Sequence, residues 1–495
     1  MAAAASAAGM FSKFAAAESA DDMAALTLSE AAAKIRSGAV TSTQLTQACL
    51  ARIATYDPKL DAFITIVKEK ALAQAAQLDA EQQSGKLRGP LHGVPLAIKD
   101  IIDTAGIRTT GGSALFEDRV PMEDATVVAR LKAAGAVIIG KTNTQEFAMG
   151  GGETSYWGPA RNPWNLAHNT GGSSSGSGAA VRANLAFGAL GTDTGGSVRM
   201  PASYCGIVGL KPTYGLVPIR GIMPLTLSLD HCGPMTRTVA DNALMLNVMA
   251  GYDRLDITSV EHAKEDYLAA LTQPVAAFKL GAPVGYFDDL NPEVAKAVED
   301  ATAMLAKMTG GVKEVTLPGV TDFANLGGLG ETYAYHEEYF KRQPAKYMLP
   351  ERRRLESISK DEPKAADYIR AKWALEKLRR TIDDAFMDFD LVVLPTQRIL
   401  PPLLDDLIKR AHDPKPTDPK VTSNCQPFDV FGIPAVSIPC GFSKSGLPIG
   451  LMIAGPRFSE GKVLALAQAY ERATEWHKRV PTLKPDMTVP AVVTG

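Results

Sequence analysis

The chain has 495 residues, is 46% hydrophobic and 21% charged, and carries a net charge of −2. That is apolar content enough for a large folded core, and so even a balance argues against nucleic acid or an anionic membrane as a general partner. No apolar run approaches the roughly 18 residues of a membrane span. The cysteines, Cys49, Cys205, Cys232, Cys425 and Cys440, are scattered with no CxxC pair, which fits reduced thiols in a cytoplasmic setting.

Residues 1–25 are alanine-rich and are expected to form a disordered tail. Without a twin arginine or a leucine-rich core they make a poor export signal, the remnant of a trimmed signal being the alternative. The folded body is expected over 26–480, with 481–495 as a C-terminal tail. Three scaffold helices open it: one capped by Ser29 and running to Arg36 with Gly38 beyond, one from Ser42 or Thr43 to about Pro58, and one over 67–83. Their outer faces could pair two copies of the chain into a homodimer.

Turn residues at Gly89-Pro90-Leu91-His92-Gly93 then give way to Val94-Pro95-Leu96-Ala97-Ile98, a short buried strand with Lys99 at its end. Lysine is seldom buried unpaired, so Lys99 either reaches the surface or pairs with Asp100 or Asp103, unless it has chemistry to do. A helix over 125–134 and a strand over 135–140 form an αβ unit of a mostly parallel sheet. Glycine, asparagine, proline and serine dominate 150–178, which reads as loop. A strand over 185–190 feeds the turn Gly195-Gly196-Ser197, followed by the apolar 205–210 and a helix over 239–249.

The second half alternates again. Strands are expected over 280–285, 312–317 and 391–396, with a helix over 292–308 between the first two. Residues 321–390 form a mainly helical insertion, 401–419 is a proline- and charge-rich loop, 435–439 and 449–453 are paired strands, and a helix closes the body over 459–477. The fold class is α/β: one large domain with a central mixed, mostly parallel twisted sheet covered by helices.

The stretch from Gly171 to Ser197 opens and closes on Gly-Gly-Ser. Glycine beside serine in a chain without repeats points to a site rather than a tether. A serine nucleophile needs a base, and three designs can be compared. Gly172-Ser173-Ser174-Ser175-Gly176 matches G-x-S-x-G with Ser174 central, but the polar, proline-broken segment before it is not the strand that a nucleophile elbow requires. A cysteine amidase built on Cys205 would use a residue that reads better as an inert buried thiol. The third design uses Lys99, whose burial would favour the neutral amine that can take a proton. Lys99 would deprotonate Ser173, Ser173 would deprotonate Ser197, and Ser197 would attack a carbonyl carbon, with the backbone N–H groups of Thr194, Gly195, Gly196 and Ser197 as an oxyanion hole.

The motifs GVPLAIKD at Lys99, GKTNTQEFAMG at 140–150, RNPWN at 161–165, GGSSSGSGAA at 171–180, GTDTGGSVRMPAS at 191–203 and GLKPTYG at 209–215, with GIPAVSIPCG and GLPIGLMIAG further on, resemble the amidase signature family. The resemblance implies an amide hydrolase without metal or cofactor, with carbamates, anilides or esters as further substrates open to the same acyl chemistry. It makes Ser197 the acylated nucleophile, Ser173 a bridging serine on a cis peptide bond, and Lys99 the general base, with Ser174, Asp193 and Arg199 orienting them. Ser175 departs from the usual glycine after the serine pair, and Met452 stands where glutamine is common, a change expected to affect substrate contacts. Met149, Tyr156 and Trp157 are expected to line the substrate pocket, together with residues of the insertion. The alternative function is the glutamine-hydrolysing A subunit of a transfer-RNA amidotransferase, against which 421–426 offers no acidic residue for glutamine's amino group.

Overall fold

Strand-forming segments separated by helices fold into one eleven-stranded sheet in the computed structural model, which describes residues 19–150, 155–320, 323–413 and 422–492. Residues 1–18 of the alanine-rich tail, 414–419 of the proline-rich stretch and the end of the C-terminal tail lie outside the described residues; the end of the tail expected to be disordered is instead a short helix, Ala20–Ala25, capped by Ser19. In chain order the strands are β1 (Phe63–Ile66), β2 (Pro95–Lys99), β3 (Val137–Thr142), β4 (Arg161–Asn162), β5 (Asn165–Asn169), β6 (Gly188–Asp193), β7 (Val208–Lys211), β8 (His231–Thr236), β9 (Leu280–Pro283), β10 (Val312–Val315), β11 (Leu391–Pro395), β12 (Ala435–Phe442) and β13 (Pro448–Ala454). The large sheet runs β1-β3-β2-β6-β8-β7-β12-β13-β11-β9-β10, and β4 and β5 form a separate hairpin.

The sheet is mixed. Parallel pairs build its two flanks, β3-β2-β6 and β11-β9-β10, and antiparallel pairs join them through β8, β7, β12 and β13. Strands β2, β3 and β6 are buried along their whole length, which explains why they read as continuous apolar or small-residue runs rather than alternating ones. Parallel β2 and β6 are adjacent, with Leu96 opposite Gly188 and Ile98 opposite Leu190, so that their C-terminal ends carry Lys99 and Asp193 to the same rim. Ligand crevices of α/β sheets form at such a rim.

Several boundaries differ from the sequence expectation for local reasons. Thr27, not Ser29, caps the first scaffold helix, through a capping box with Glu30, and Ser29 instead donates to Asp241 at 2.7 Å. The second helix runs past Pro58 to Leu60. The loop expected over 150–178 contains the β4–β5 hairpin and, from Ser175 to Arg182, a helix whose small residues are all buried. Strand β6 begins at Gly188, later than expected, and β1 and β8 have no counterpart in the sequence expectation. The stretch 401–419 contains a helix, Leu404–His412. In the insertion, helices span Phe323–Arg342, Leu349–Lys360 and Ala365–Thr381. Among the described residues no helix is long and apolar enough to cross a membrane.

Glycine is obligatory where the central strands cross close neighbours. A Cβ on Gly233 of β8 would lie 2.0 Å from the carbonyl oxygen of Leu210 on β7. Gly233→Ala is therefore expected to destabilise the protein by about 1–3 kcal/mol, the range for overpacking, as a lower urea midpoint with an unchanged slope.

Candidate active site

Lys99 ends β2 fully buried, and neither ordinary fate of a lysine applies to it. Asp100 lies 3.9 Å from the buried Lys141 instead, and Asp103 is bound by Arg119 at 2.7 Å. Nζ of Lys99 donates to Ser173 Oγ at 2.7 Å and to Thr192 Oγ1 at 2.8 Å. With hydroxyls rather than a carboxylate as partners, burial dominates and lowers its pKa to about 7, against the opposing charges of Asp193 and Asp230.

Ser173 is held by backbone constraints on both sides. The Gly172–Ser173 peptide bond is cis. A Cβ on Gly172 would fall 2.5 Å from the Gln145 amide, and the Ser173 carbonyl accepts from Gln145 N at 3.3 Å. Ser174 is buried beside it; its N–H donates to the Ser197 carbonyl at 3.3 Å, and its Oγ lies 3.2 Å from both the N–H and the carbonyl oxygen of Thr192. These bonds tie the two serine turns to each other and to β6. The glycine replaced by Ser175 leaves no gap or clash: Ser175 is buried with Oγ 3.5 Å from the Asn143 carbonyl. It is the next residue, Gly176, that has no room, because a Cβ there would meet the Ala62 carbonyl at 2.3 Å.

Ser197 is half-buried on a turn organised by Asp193. One carboxylate oxygen of Asp193 accepts from Gly196 N at 2.6 Å, and the other from Val198 N at 3.1 Å and Arg199 N at 3.3 Å. Gly196 takes φ +124 with Cys425 packed against it. Its N–H is thus engaged, which corrects the expectation that it is an open oxyanion donor. Among the described residues the N–H groups of Thr194, Gly195 and Ser197 have no such partner and remain available.

The Arg199 guanidinium is fully buried and holds this turn from behind. It reaches Asp193 through Nε at 2.9 Å and Nη2 at 3.0 Å, and Asp429 through Nη2 at 2.6 Å. Burial pushes Asp193 up, but the Arg199 charge and its hydrogen bonds outweigh burial and hold the carboxyl well below the usual range. Burial and then repulsion from Asp193 push Asp429 well above it. His231 Nδ1 lies 3.2 Å from the Asp193 carbonyl, which only accepts, so the ring proton is assigned to Nδ1 and Nε2 accepts from the buried Lys211 at 3.2 Å. Met452 Sδ sits 3.4 Å from Arg199 Nη1; the residue bears on this ion network rather than on a substrate contact.

Thr192, Asp230, His231, Lys211 and Asp429 are the site residues that sequence reasoning missed. Thr192 had a signal as part of Gly191-Thr192-Asp193-Thr194, and Lys211 as part of the GLKPTYG motif at 209–215; the other three had none. The expected pocket residues divide. Met149 is buried and its carbonyl accepts from Arg354 of the insertion at 2.7 Å. Trp157 donates to Thr110 Oγ1 at 3.1 Å under the Arg108 guanidinium, so it packs the loop, while Tyr156 is exposed. Of residues 421–426, Thr422 to Gln426 are described; Cys425 and Gln426 lie against the glycines of the Ser197 turn, and Asp429, beyond that segment, faces Arg199.

The sequence matches the family model described as Amidase over residues 44–464. The A subunit of a glutamyl-tRNA(Gln) amidotransferase from Roseiflexus sp. (strain RS-1) is 43% identical over 485 residues, spanning 92% of this chain and 98% of that protein. The solved A subunit of the Thermotoga maritima glutamyl-tRNA(Gln) amidotransferase is 34% identical with a TM-score of 0.75, over 92% of this chain and 96% of the other. A peptide amidase solved with the competitive inhibitor chymostatin is 33% identical with a TM-score of 0.78, over 93% and 99%. The amidotransferase relatives correct the expectation that nucleic acid plays no part. Net charge reports on direct binding by this surface and is silent on a transfer RNA reached within a larger enzyme.

Removing the Arg199 charge would leave Asp193 and Asp429 buried against each other. Arg199→Leu is expected to lower the unfolding free energy by about 3–5 kcal/mol, measured by urea denaturation.

Proposed function

Since this chain belongs to the amidase signature family and acts on carboxylic amide bonds, we propose that it cleaves them through an acyl-enzyme on Ser197, with glutamine's side-chain amide as substrate and a transfer-RNA amidotransferase as its setting. The observation that carries the chemistry is the 2.7 Å bond to Ser173 from a buried Lys99 that no carboxylate touches. With its pKa near 7, Lys99 is neutral often enough to take a proton. It accepts the proton of Ser173, Ser173 accepts that of Ser197, and Ser197 Oγ attacks the amide carbon. Negative charge forming on the carbonyl oxygen is met by the N–H groups of Thr194, Gly195 and Ser197. The relay then runs backwards to protonate the leaving ammonia, and water releases glutamate by the same steps. Ser174, Asp193 and Arg199 hold the turns in register. The substrate and the setting are supported by the amidotransferase relatives, which match almost end to end. A cytoplasmic location belongs to this reading and is supported by five buried free cysteines.

A second reading, an independent amidase, is favoured by a specific observation. No carboxylate stands between Thr422 and Gln426, where glutamine's amino group would be expected to find one, and the peptide amidase is as similar in structure as the Thermotoga maritima protein.

Ser197→Ala and Lys99→Ala should each reduce amide hydrolysis at least about a thousandfold in a protein that still folds, since each removes a member of one relay. The limb of kcat/KM should rise with pH through about 7, because only neutral Lys99 accepts a proton. A fluorophosphonate adduct on Ser174, or wild-type rates in either variant, would overturn the assignment. The two readings separate in one comparison. The amidotransferase reading predicts weak glutaminase activity in the isolated chain that rises with co-purified partner proteins and glutamyl-tRNA(Gln), whereas an independent amidase predicts rapid hydrolysis of propionamide or peptide amides by the chain alone.

A further inference from the structure

Asp230 sits immediately before β8, only 7% exposed, and makes no ion pair among the described residues. One carboxylate oxygen accepts from Thr194 Oγ1 at 2.6 Å and from Thr226 N at 3.1 Å; the other accepts from Leu225 N at 2.9 Å. A buried carboxylate without a cation is costly, and a neutral side chain would meet a purely structural need at that place more cheaply. The cavity beside it is lined by Thr192, which binds Lys99, and by Thr194, which opens the turn of Ser197.

We propose that Asp230 is a positioning residue for the acyl transfer: it fixes Thr194 at the head of the oxyanion turn and, in its ionised form, places a negative charge within the field of Lys99. This rests on the Ser197 relay proposed above and adds a member to it. The charges facing Lys99 are Asp193 first and then Asp230, with the Cys232 thiol of β8; Asp193 is paired with Arg199, whereas Asp230 has no cation of its own among the described residues. Glu331 of the insertion faces Asp230 in turn. That glutamate accepts from Ser228 N at 2.8 Å and Ser228 Oγ at 2.5 Å, so the insertion grips the turn whose N–H groups hold Asp230. The neighbouring His231 is turned toward Asp193 and Lys211 instead.

The test is the rate of Ser197 labelling by a small alkyl fluorophosphonate, followed against pH on the full chain. It needs no natural substrate. Asp230→Asn removes the charge that raises the Lys99 pKa, so the midpoint of the labelling profile should move to lower pH, and the plateau rate should fall at least about tenfold as Thr194 loses a charge-assisted bond. Thr194→Val should lower the plateau similarly without moving the midpoint, and Thr194→Ser, which keeps the hydroxyl, should restore it. A folded Asp230→Asn protein with the wild-type midpoint and plateau overturns the proposal. Should that variant not fold, wild-type labelling in Thr194→Val overturns it. Absence of labelling at Ser197 in the wild type would instead defeat the relay itself, so the two failures are distinct.

Discussion

The site depends on an ammonium group buried where no carboxylate touches it. Lys99 is stripped of water by β2, β3 and β6 and offered only hydroxyls, those of Ser173 and Thr192. A direct ion pair would have kept the lysine charged and useless as a base at neutral pH; full exposure would have done the same. The fold avoids both by diverting the two nearest acids in sequence, Asp100 toward Lys141 and Asp103 to Arg119. What remains is an amine whose proton affinity is set by its surroundings within reach of neutrality.

The opposite arrangement holds the Ser197 turn. There, charges are buried in direct contact: Asp193 gathers three backbone N–H groups and the Arg199 guanidinium, and Arg199 is shared with Asp429. Acceptors so fully used leave little freedom to the chain from Asp193 to Arg199, which is what a preorganised oxyanion site requires, since donors that need no rearrangement act at full strength in the transition state. One buried cation has only hydroxyl partners, and another is held by two carboxylates.

Much of this was legible in the sequence because local chemistry and tertiary role agreed. The apolar run ending in Lys99, the small residues around Ser173 and the glycines before Ser197 each declare a buried strand or a close backbone approach, and the helix over 292–308 emerged with its boundaries as read. The illegible parts depend on contacts made across the sheet. Strand β8 contains Gly233 and Pro234, poor strand formers that pair only because β6 and β7 flank them. The helix over 175–182 is built of serine and glycine, which local propensity assigns to loop and which burial against neighbouring backbone imposes. Ser29 and Thr27 are equally good caps on paper; Asp241, more than two hundred residues away, takes Ser29 and leaves Thr27 to the helix. Asp429 and Asp230 lie in segments with no motif, and nothing short of the folded sheet connects them to Arg199 and Thr194.

The Arg199–Asp429 contact joins residues 230 positions apart. Asp193 can meet Arg199 as soon as both are synthesised, whereas Asp429 follows more than two hundred residues later. The strands it travels with, β12 and β13, also supply the link between the two flanks of the sheet. A nascent or truncated chain can therefore contain every residue of the serine–lysine relay and still hold an arginine whose second counter-ion has yet to be made. The order of the Ser197 turn therefore depends on a segment far along the chain and not on the local sequence alone.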